Sequence, residues 1–205
     1  MLQKGNRIEE KFPLKGRVIF FATGNINKFN EARSILSKYD VAVGMLRVKA
    51  MEIQSSSIVK IAEHSVTDAF KRCHLPVIVE DAGLFIEALD GFPGPYAAYA
   101  YRTIHNEGIL KLMENVENRK ATFQSAIAYC DNSTCVPVCF EGDAKGEITA
   151  RMRSEQGKSG FGFDPIFQPS GSRKTFAEMT IEEKNGFSHR ARAISKFAEW
   201  YKGLR

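Results

Sequence analysis

Two adjacent acidic residues, Glu80 and Asp81, follow a run of three β-branched residues from Val77 to Val79. Such a run is typical of a buried strand, and carboxylates at its end are costly to remove from water unless something compensates their charge. A divalent cation or a proton-transfer role would do so. Ala82 and Gly83 come next and suit a tight turn. The acid pair could therefore also do no more than cap that turn, and the residues alone leave both interpretations open.

A polar loop lies between the first apolar run of the chain and a helical segment. It reads Thr23-Gly24-Asn25-Ile26-Asn27-Lys28. The N-terminus of a helix attracts phosphate because its free amide groups carry a partial positive charge, and Lys28 adds a full charge within the first turn. The loop lacks the longer Walker A pattern. A strand-to-helix turn that binds nothing has the same appearance, so this interpretation also stays open.

A third acid, Glu52, follows the second predicted strand. Paired with Asp81 across neighbouring strands, it would complete a two-carboxylate Mg²⁺ site whose remaining ligands are phosphate oxygens of a substrate. The simpler interpretation is a solvated loop acid. The two-carboxylate hypothesis requires that both side chains lie on the same side of the molecule.

A glycine-rich loop spans Ser159 to Pro165. Gly160 and Gly162 flank Phe161, which favours an irregular loop on which an aromatic ring can stack on a nucleobase. The alternative is a turn whose aromatic rings enter the core. Phe163 is the better candidate for the core, and Phe161 is the better candidate for stacking.

Cationic residues surround the start of the last predicted helix, namely Lys184, His189 and Arg190. A cation at a helix N-terminus opposes the helix dipole, and this placement is unfavourable unless an anion or another acceptor is bound there. We therefore include these three residues among the candidate binding residues.

The elements that position these residues begin with a strand-helix-strand-helix-strand pattern, which predicts an α/β fold whose later strands make the sheet mixed. The predicted strands are Val18–Ala22, Val41–Ala50, one opened by Pro76, Phe123–Tyr129, and the pair Cys135–Phe140 and Gly146–Met152, joined across Gly142-Asp143. The predicted helices are Asn27–Lys38, one capped within Ser55–Ser57, Ile104–Met113, and one capped by Ser188.

Composition indicates an ordinary globular protein, with 205 residues of which 43% are hydrophobic and 26% charged. No apolar run approaches the roughly 20 residues of a membrane span. The net charge of +5 favours anionic partners. The four cysteines fit neither a metal knuckle nor a disulfide framework, so we expect them to be reduced, mostly buried and cytosolic. Residues 1–16 are expected to form a mobile extension, and residues 17–205 a single domain.

Seven short motifs occur in one order along the chain: Thr23-Gly24-Asn25 with Lys28, Glu52–Gln54, Glu80–Leu84, Gly91–Pro95, Phe161–Pro165, Glu183–Asn185 and Ser188–Arg190. With these motifs the chain resembles the inosine triphosphate pyrophosphatases, or HAM1-like enzymes, over about Val18 to Tyr201. It looks closest to their archaeal members.

The resemblance implies an elongated two-lobed α/β domain with a central mixed sheet flanked by helices and an active-site cleft between the lobes. It also implies a homodimer that hydrolyses ITP, dITP and XTP to the monophosphate and pyrophosphate with Mg²⁺. No nucleic acid or membrane partner is expected.

The resemblance further assigns roles to residues. Its triphosphate loop corresponds to Thr23, Gly24, Asn25, Ile26, Asn27 and Lys28, and Ala82 is added to the substrate site. Glu52 and Asp81 correspond to the metal carboxylates, with Asp81 also the proton acceptor. Glu80, beside Asp81, is included as a second catalytic residue. The base-binding residues correspond to Phe161, Gly162, Phe163, Asp164, Lys184, His189 and Arg190, and Lys184 could also neutralise phosphate charge. Many members have Ser or Thr at the position of Ala82, and many bacterial members have Lys at the position of Ser65.

Two other functions are compatible with parts of the sequence. One is a Maf-like pyrophosphatase that acts on modified pyrimidine nucleotides. The other is a basic nucleic-acid-binding module without catalysis, which only the positive charge supports because no nucleic-acid-binding motif is present.

Overall fold

A computed structural model describes residues 17–48, 50–134, 136–155 and 160–204. The predicted N-terminal extension lies outside the described residues, as do Cys135 and Ser159. Within the described residues one sheet contains β1 (Arg17–Ala22), β2 (Val41–Leu46), β3 (Val77–Ile86), β4 (Pro93–Gly94), β5 (Lys120–Cys130), β6 (Val138–Ile148) and β7 (Phe167–Pro169). The helices are α1 (Ile26–Leu36), α2 (Ile58–Cys73), α3 (Ala97–Leu112), α4 (Ile181–Asn185) and α5 (His189–Gly203).

The sheet has the strand order β2-β1-β3-β5-β6-β7, with β4 beside β3. The first three strands are parallel, because a helix connects each to the next, whereas β3, β5, β6 and β7 pair antiparallel. The predicted mixed sheet flanked by helices is therefore confirmed.

The helices cover the two faces of the sheet. On one face, α1 and α5 pack against Ile19, Ile78 and Ile127, and on the other α2 packs against Val77 and Val79. A further apolar cluster around α3 and β7 forms the other lobe. Since side chains alternate along a strand, β3 directs neighbouring residues to opposite faces.

The acid pair does not end its strand, and the prediction of a tight turn at Ala82 and Gly83 is wrong. β3 continues to Ile86 because β5 pairs with it along its whole length. Close packing explains the glycine at position 83, since a Cβ there would lie 2.6 Å from the carbonyl oxygen of Gly94 on the antiparallel strand β4. The glycine therefore permits a close approach of two strands.

The prediction of two strands joined across Gly142-Asp143 is also wrong, because β6 is one continuous strand. At Gly142 a Cβ would lie 2.6 Å from the backbone nitrogen of Ala193, so this glycine lets α5 pack directly on β6. Other predicted boundaries need smaller corrections. β2 ends at Leu46 because its partner β1 ends at Ala22.

The predicted helix boundaries change as well. The first helix starts at Ile26, and residues Ser37–Tyr39 form a 3₁₀ turn after it. The third helix begins at Ala97, well before Ile104, and is interrupted at His105, whose φ is 55°. Among the described residues no helix is both long and apolar enough to cross a membrane. Of the three described cysteines, Cys130 is buried and the other two are partly exposed.

The close packing of α5 on β6 predicts that Gly142→Ala destabilises the protein. The added methyl group would overlap the backbone of α5, and such overpacking costs about 1–3 kcal/mol. Gly203→Ala is the matched control, because a Cβ there meets nothing within 4 Å. The measurement is urea unfolding of both variants. Equal free energies of unfolding for the two variants would contradict this account of Gly142.

Candidate active site

A cavity of about 500 Å³ lies between the two lobes. Its walls come from the α1 N-terminus, β3, α3, β5, the glycine-rich loop and the start of α5. The lining residues used below are Asn25, Asn27, Lys28, Ala82, Tyr101, Arg102, Phe123, Gly160, Phe161, Gly162, Phe163, Asp164, His189 and Arg190. His189 and Arg190 make a buried end, whereas Asn27 and Arg102 are exposed.

Glu80 lies beneath this cavity with a fully buried side chain. Its Oε2 is 2.6 Å from the Nζ of Lys28, and its Oε1 accepts hydrogen bonds from the Nε of Arg190 at 3.0 Å and the Oγ of Ser125 at 2.8 Å. Although burial opposes ionisation, the charges of Arg190 and Lys28 hold the pKa of Glu80 well below its usual range. Glu80 is therefore a permanent anion.

The surroundings of Glu80, which is expected to be a catalytic residue, favour a positioning role. Both of its carboxylate oxygens are engaged by protein groups, and it does not line the cavity. Its side chain positions Lys28 and Arg190, which do line it. Asp81, the next residue in the sequence, points to the other face of β3 and has different surroundings.

Glu31 extends the charge network on the buried side of α1. Its carboxylate contacts the Nη1 of Arg190 and is 2.7 Å from the Nζ of Lys184. Although burial raises it, the pKa of Glu31 is lowered by the charges of Arg190 and Lys184. The sequence analysis missed Glu31, because a single acid on an amphipathic helix has no pattern that separates it from a solvated one.

Lys184, which is expected to bind substrate, is not among the residues that line the cavity. Its side chain is 1% exposed, and its Nζ lies 2.7 Å from both Glu31 and the Oδ2 of Asp164. Asp164 also accepts a hydrogen bond from the Phe161 amide at 2.8 Å. Lys184 Nζ also lies 4.7 Å from the centroid of the Phe161 ring. The ion pair of Lys184 with Asp164 therefore holds the glycine-rich loop in place.

The aromatic residues of the glycine-rich loop have different positions. Phe163 is buried and packs edge-on against Tyr101, with ring centroids 5.5 Å apart. Phe161 is partly exposed and lines the cavity. Gly162 has a φ of 61°, which glycine adopts without strain. This conformation lets Phe163 pack in the core while Phe161 lines the cavity.

His189 stacks on Phe123 with ring centroids 4.7 Å apart and an angle of 8°. Burial and the nearby charge of Arg190 hold the pKa of His189 well below its usual value, so the ring is neutral. In the described part of the chain its buried Nδ1 has no hydrogen-bond partner. The sequence analysis missed Phe123 and Tyr101, because alternating or helical spacing gives an aromatic residue no sign of a binding role.

The polar loop after β1 begins α1. Asn25 caps the helix, and its Oδ1 accepts hydrogen bonds from the amides of Asn27 at 2.9 Å and Lys28 at 3.3 Å. The Oγ1 of Thr23 accepts a hydrogen bond from the Asn25 amide. Gly24 is exposed, and a Cβ there would meet nothing within 4 Å, so a ligand can approach its backbone closely. Ile26 is 54% exposed.

Asp81 lies on the opposite face of β3 from Glu80 and beside the cavity residue Ala82. Its buried Oδ2 has no hydrogen-bond partner among the described residues. Burial raises the pKa of Asp81 to about 7, which the charge of Lys28 opposes and the charges of Glu80 and Glu52 support. Glu52 is therefore close enough to Asp81 for the two carboxylates to interact.

The edge of β3 is open at this point. β1 pairs with β3 at Val77 and Ile78 and then ends. Lys28 lies in the first turn of α1, and its Nζ is 3.5 Å from the Glu80 carbonyl oxygen. An extended anion could therefore run along this edge of β3, from the cavity on one face of the sheet towards the carboxylates of Glu52 and Asp81 on the other face.

Comparison with known proteins identifies the family. The Ham1 family model matches residues 19–200. The chain belongs to the Ham1 family. A dITP/XTP pyrophosphatase of Methanopyrus kandleri is 50% identical over 90% of this chain and 96% of its own length, and that of Thermococcus kodakarensis is 47% identical over 89% and 96%.

Solved structures of Ham1 proteins also match. The Staphylococcus aureus Ham1 protein has a TM-score of 0.78 at 29% identity, and the Coxiella burnetii HAM1 protein has 0.79 at 27%, each covering 92% of this chain and 100% of its own. The chain therefore shares its fold with these Ham1 proteins.

The donor set of this Ham1-family chain fits a hard divalent cation that also binds substrate oxygens. Within the described residues no group of three His, Cys, Asp or Glu side chains converges. Glu52 and Asp81 supply two carboxylates, and the unpartnered Oδ2 of Asp81 is a ready oxygen donor. Mg²⁺ sites commonly use one or two carboxylates and complete their shell with water and phosphate oxygens.

The raised pKa of Asp81 predicts a pH-dependent stability of the metal-free protein. The unfolded carboxyl group loses its proton near 3.8, whereas the folded one keeps it until about 7. The folded chain therefore binds more protons between these values, and the free energy of unfolding falls as pH rises through that window. Asp81→Asn removes this contribution.

The measurement is urea unfolding in a metal chelator at about pH 5 and about pH 8. The wild type should lose more stability than Asp81→Asn between the two. A difference between the proteins that stays constant with pH would show that the carboxyl group titrates normally.

Proposed function

We propose that this chain, as a single domain over residues 17–205, hydrolyses ITP, dITP and XTP to the nucleoside monophosphate and pyrophosphate. The observation that carries the proposal is one cavity with a buried aromatic end and an exposed cationic end, beside a carboxyl group with a pKa of about 7. The names of the relatives at 50% and 47% identity point to the same substrates.

The buried end suits a purine with an oxygen at position 6. Phe161 offers a ring face on which a base can stack, and Arg190 and the neutral His189 offer hydrogen-bond donors. Adenine carries an amino group at position 6, so its hydrogen-bond donor would face the donors of Arg190 and His189. Leaving such buried groups unpaired costs about 1–3 kcal/mol each, which disfavours ATP.

The exposed end suits the triphosphate. Lys28, the amides around Gly24 and the helix N-terminus attract phosphate oxygens. Glu52 and Asp81 would hold Mg²⁺ together with those oxygens, and the bound ion would neutralise charge on the reacting phosphate. Ala82 also lines the cavity, and its side chain adds no hydrogen bond.

The reaction needs a base for the water that attacks the α-phosphorus. A general base must be ionised to accept a proton. Burial raises the pKa of Asp81 to about 7, and a divalent cation bound beside it would keep its carboxylate ionised. Asp81 would take the proton from water as the new oxygen–phosphorus bond forms, while pyrophosphate leaves from the opposite side. Lys28 would stabilise the growing charge on the leaving group.

We further propose a homodimer in the cytoplasm. Phe92, Tyr96 and Tyr99 are large apolar residues on one short stretch and are 42%, 48% and 62% exposed, and such exposure is typical of an association surface. A monomer mass in light scattering would contradict the dimer. The cytoplasmic location is supported by cysteines without a disulfide pattern and by substrates found in the nucleotide pool.

The experiment that tests the function is pyrophosphate release from a panel of nucleotides, with and without Mg²⁺. ITP, dITP and XTP should be hydrolysed faster than ATP and faster than modified UTP or CTP, and a chelator should stop the reaction. Preference for a modified pyrimidine nucleotide would favour the Maf-like alternative. No turnover with salt-sensitive DNA binding would favour the nucleic-acid alternative.

The mechanism predicts that Asp81→Asn abolishes hydrolysis of ITP while nucleotide binding largely survives. The substitution keeps the size of the side chain but removes its ability to accept a proton, and general-base catalysis is worth about 10²–10⁴-fold. Glu107→Asn is a control on an exposed acid of α3. Turnover of ITP by Asp81→Asn at the wild-type rate would show that Asp81 has another role.

A further inference from the structure

The positive charges around the cavity are not equally available to a ligand. Lys28 is paired with Glu80, and Arg190 is paired with Glu80 and Glu31. The neutral His189 contributes no charge. Arg102 also lines the cavity, and no acid or hydrogen-bond acceptor in the described residues engages its guanidinium group.

The position of Arg102 places it at the exposed end. It follows Tyr101 on α3, and Tyr101 packs against Phe163, which fixes this turn of the helix against the glycine-rich loop. Arg102 itself is exposed, unlike the 2% exposed Arg190 at the buried end. Asn27 and Lys28 line the same cavity from α1, so Arg102 borders the space in which we propose that the triphosphate binds.

We propose that Arg102 binds the polyphosphate tail of the substrate, opposite Lys28. The inference rests on the proposed function and adds a residue to it. A triphosphate brings several negative charges, and the charge of Lys28 is already offset by Glu80. A planar guanidinium group can donate two parallel hydrogen bonds to phosphate oxygens, and such charge-assisted pairs are stronger than neutral ones.

The test is Arg102→Gln, with Lys111→Gln as the matched control on the same helix outside this cavity. We expect the KM for ITP and the inhibition constant of pyrophosphate each to rise about tenfold, equivalent to about 1.4 kcal/mol. Inhibition by inosine, which has no phosphate, should not change. Arg102→Lys should recover part of the loss, and Lys111→Gln should behave as the wild type.

Two results would overturn the inference. Unchanged values for ITP and pyrophosphate would show that Arg102 does not contact the tail, and an equal loss for inosine would place it at the base. Failure of the proposed function has a different signature, namely a wild-type protein that releases pyrophosphate from no nucleotide. In that event calorimetry of pyrophosphate binding to wild type and Arg102→Gln still tests Arg102, and equal affinities would refute it.

Discussion

The carboxylate of Glu80 has no access to water and lies between the side chains of Lys28 and Arg190. Removing one charge from water is expensive, and a buried charge persists only with close partners and satisfied hydrogen bonds. Ser125 and the two cations provide these. Because Lys28 comes from α1 and Arg190 from α5, this one carboxylate fixes the two helix starts that form opposite ends of the cavity.

The same logic extends to the glycine-rich loop. Glu31 joins Arg190 to Lys184, and Lys184 joins Asp164, which in turn accepts the Phe161 amide. These charged side chains therefore bind one another, and in doing so they hold the groups that line the cavity in place before a substrate binds. Preorganised groups lose less entropy on binding and need less rearrangement during reaction. Among the described residues, Asp81 Oδ2 and His189 Nδ1 are two of the buried atoms without a hydrogen-bond partner, and both belong to residues of the proposed site.

The sequence predicted the elements better than the side-chain environments. The β-branched run before Glu80 and the alternation around Ile127 gave the strands correctly. The turn at Ala82 was wrong because pairing with β5, which is distant in sequence, overrides local turn propensity. Motif order grouped the site residues. The wrongly predicted turn hid that Glu80 and Asp81 face opposite sides of one strand, and no local pattern shows that Glu31 is buried.

The most direct test of this account is the free energy of unfolding of Glu80→Gln, measured beside Glu107→Gln. Gln keeps the shape of the side chain but leaves Lys28 and Arg190 without their shared anion. Breaking a buried pair in this way costs about 3–5 kcal/mol, whereas the exposed control should change by less than about 0.5 kcal/mol. A loss for Glu80→Gln as small as that of the control would contradict the claim that this buried anion holds the site together.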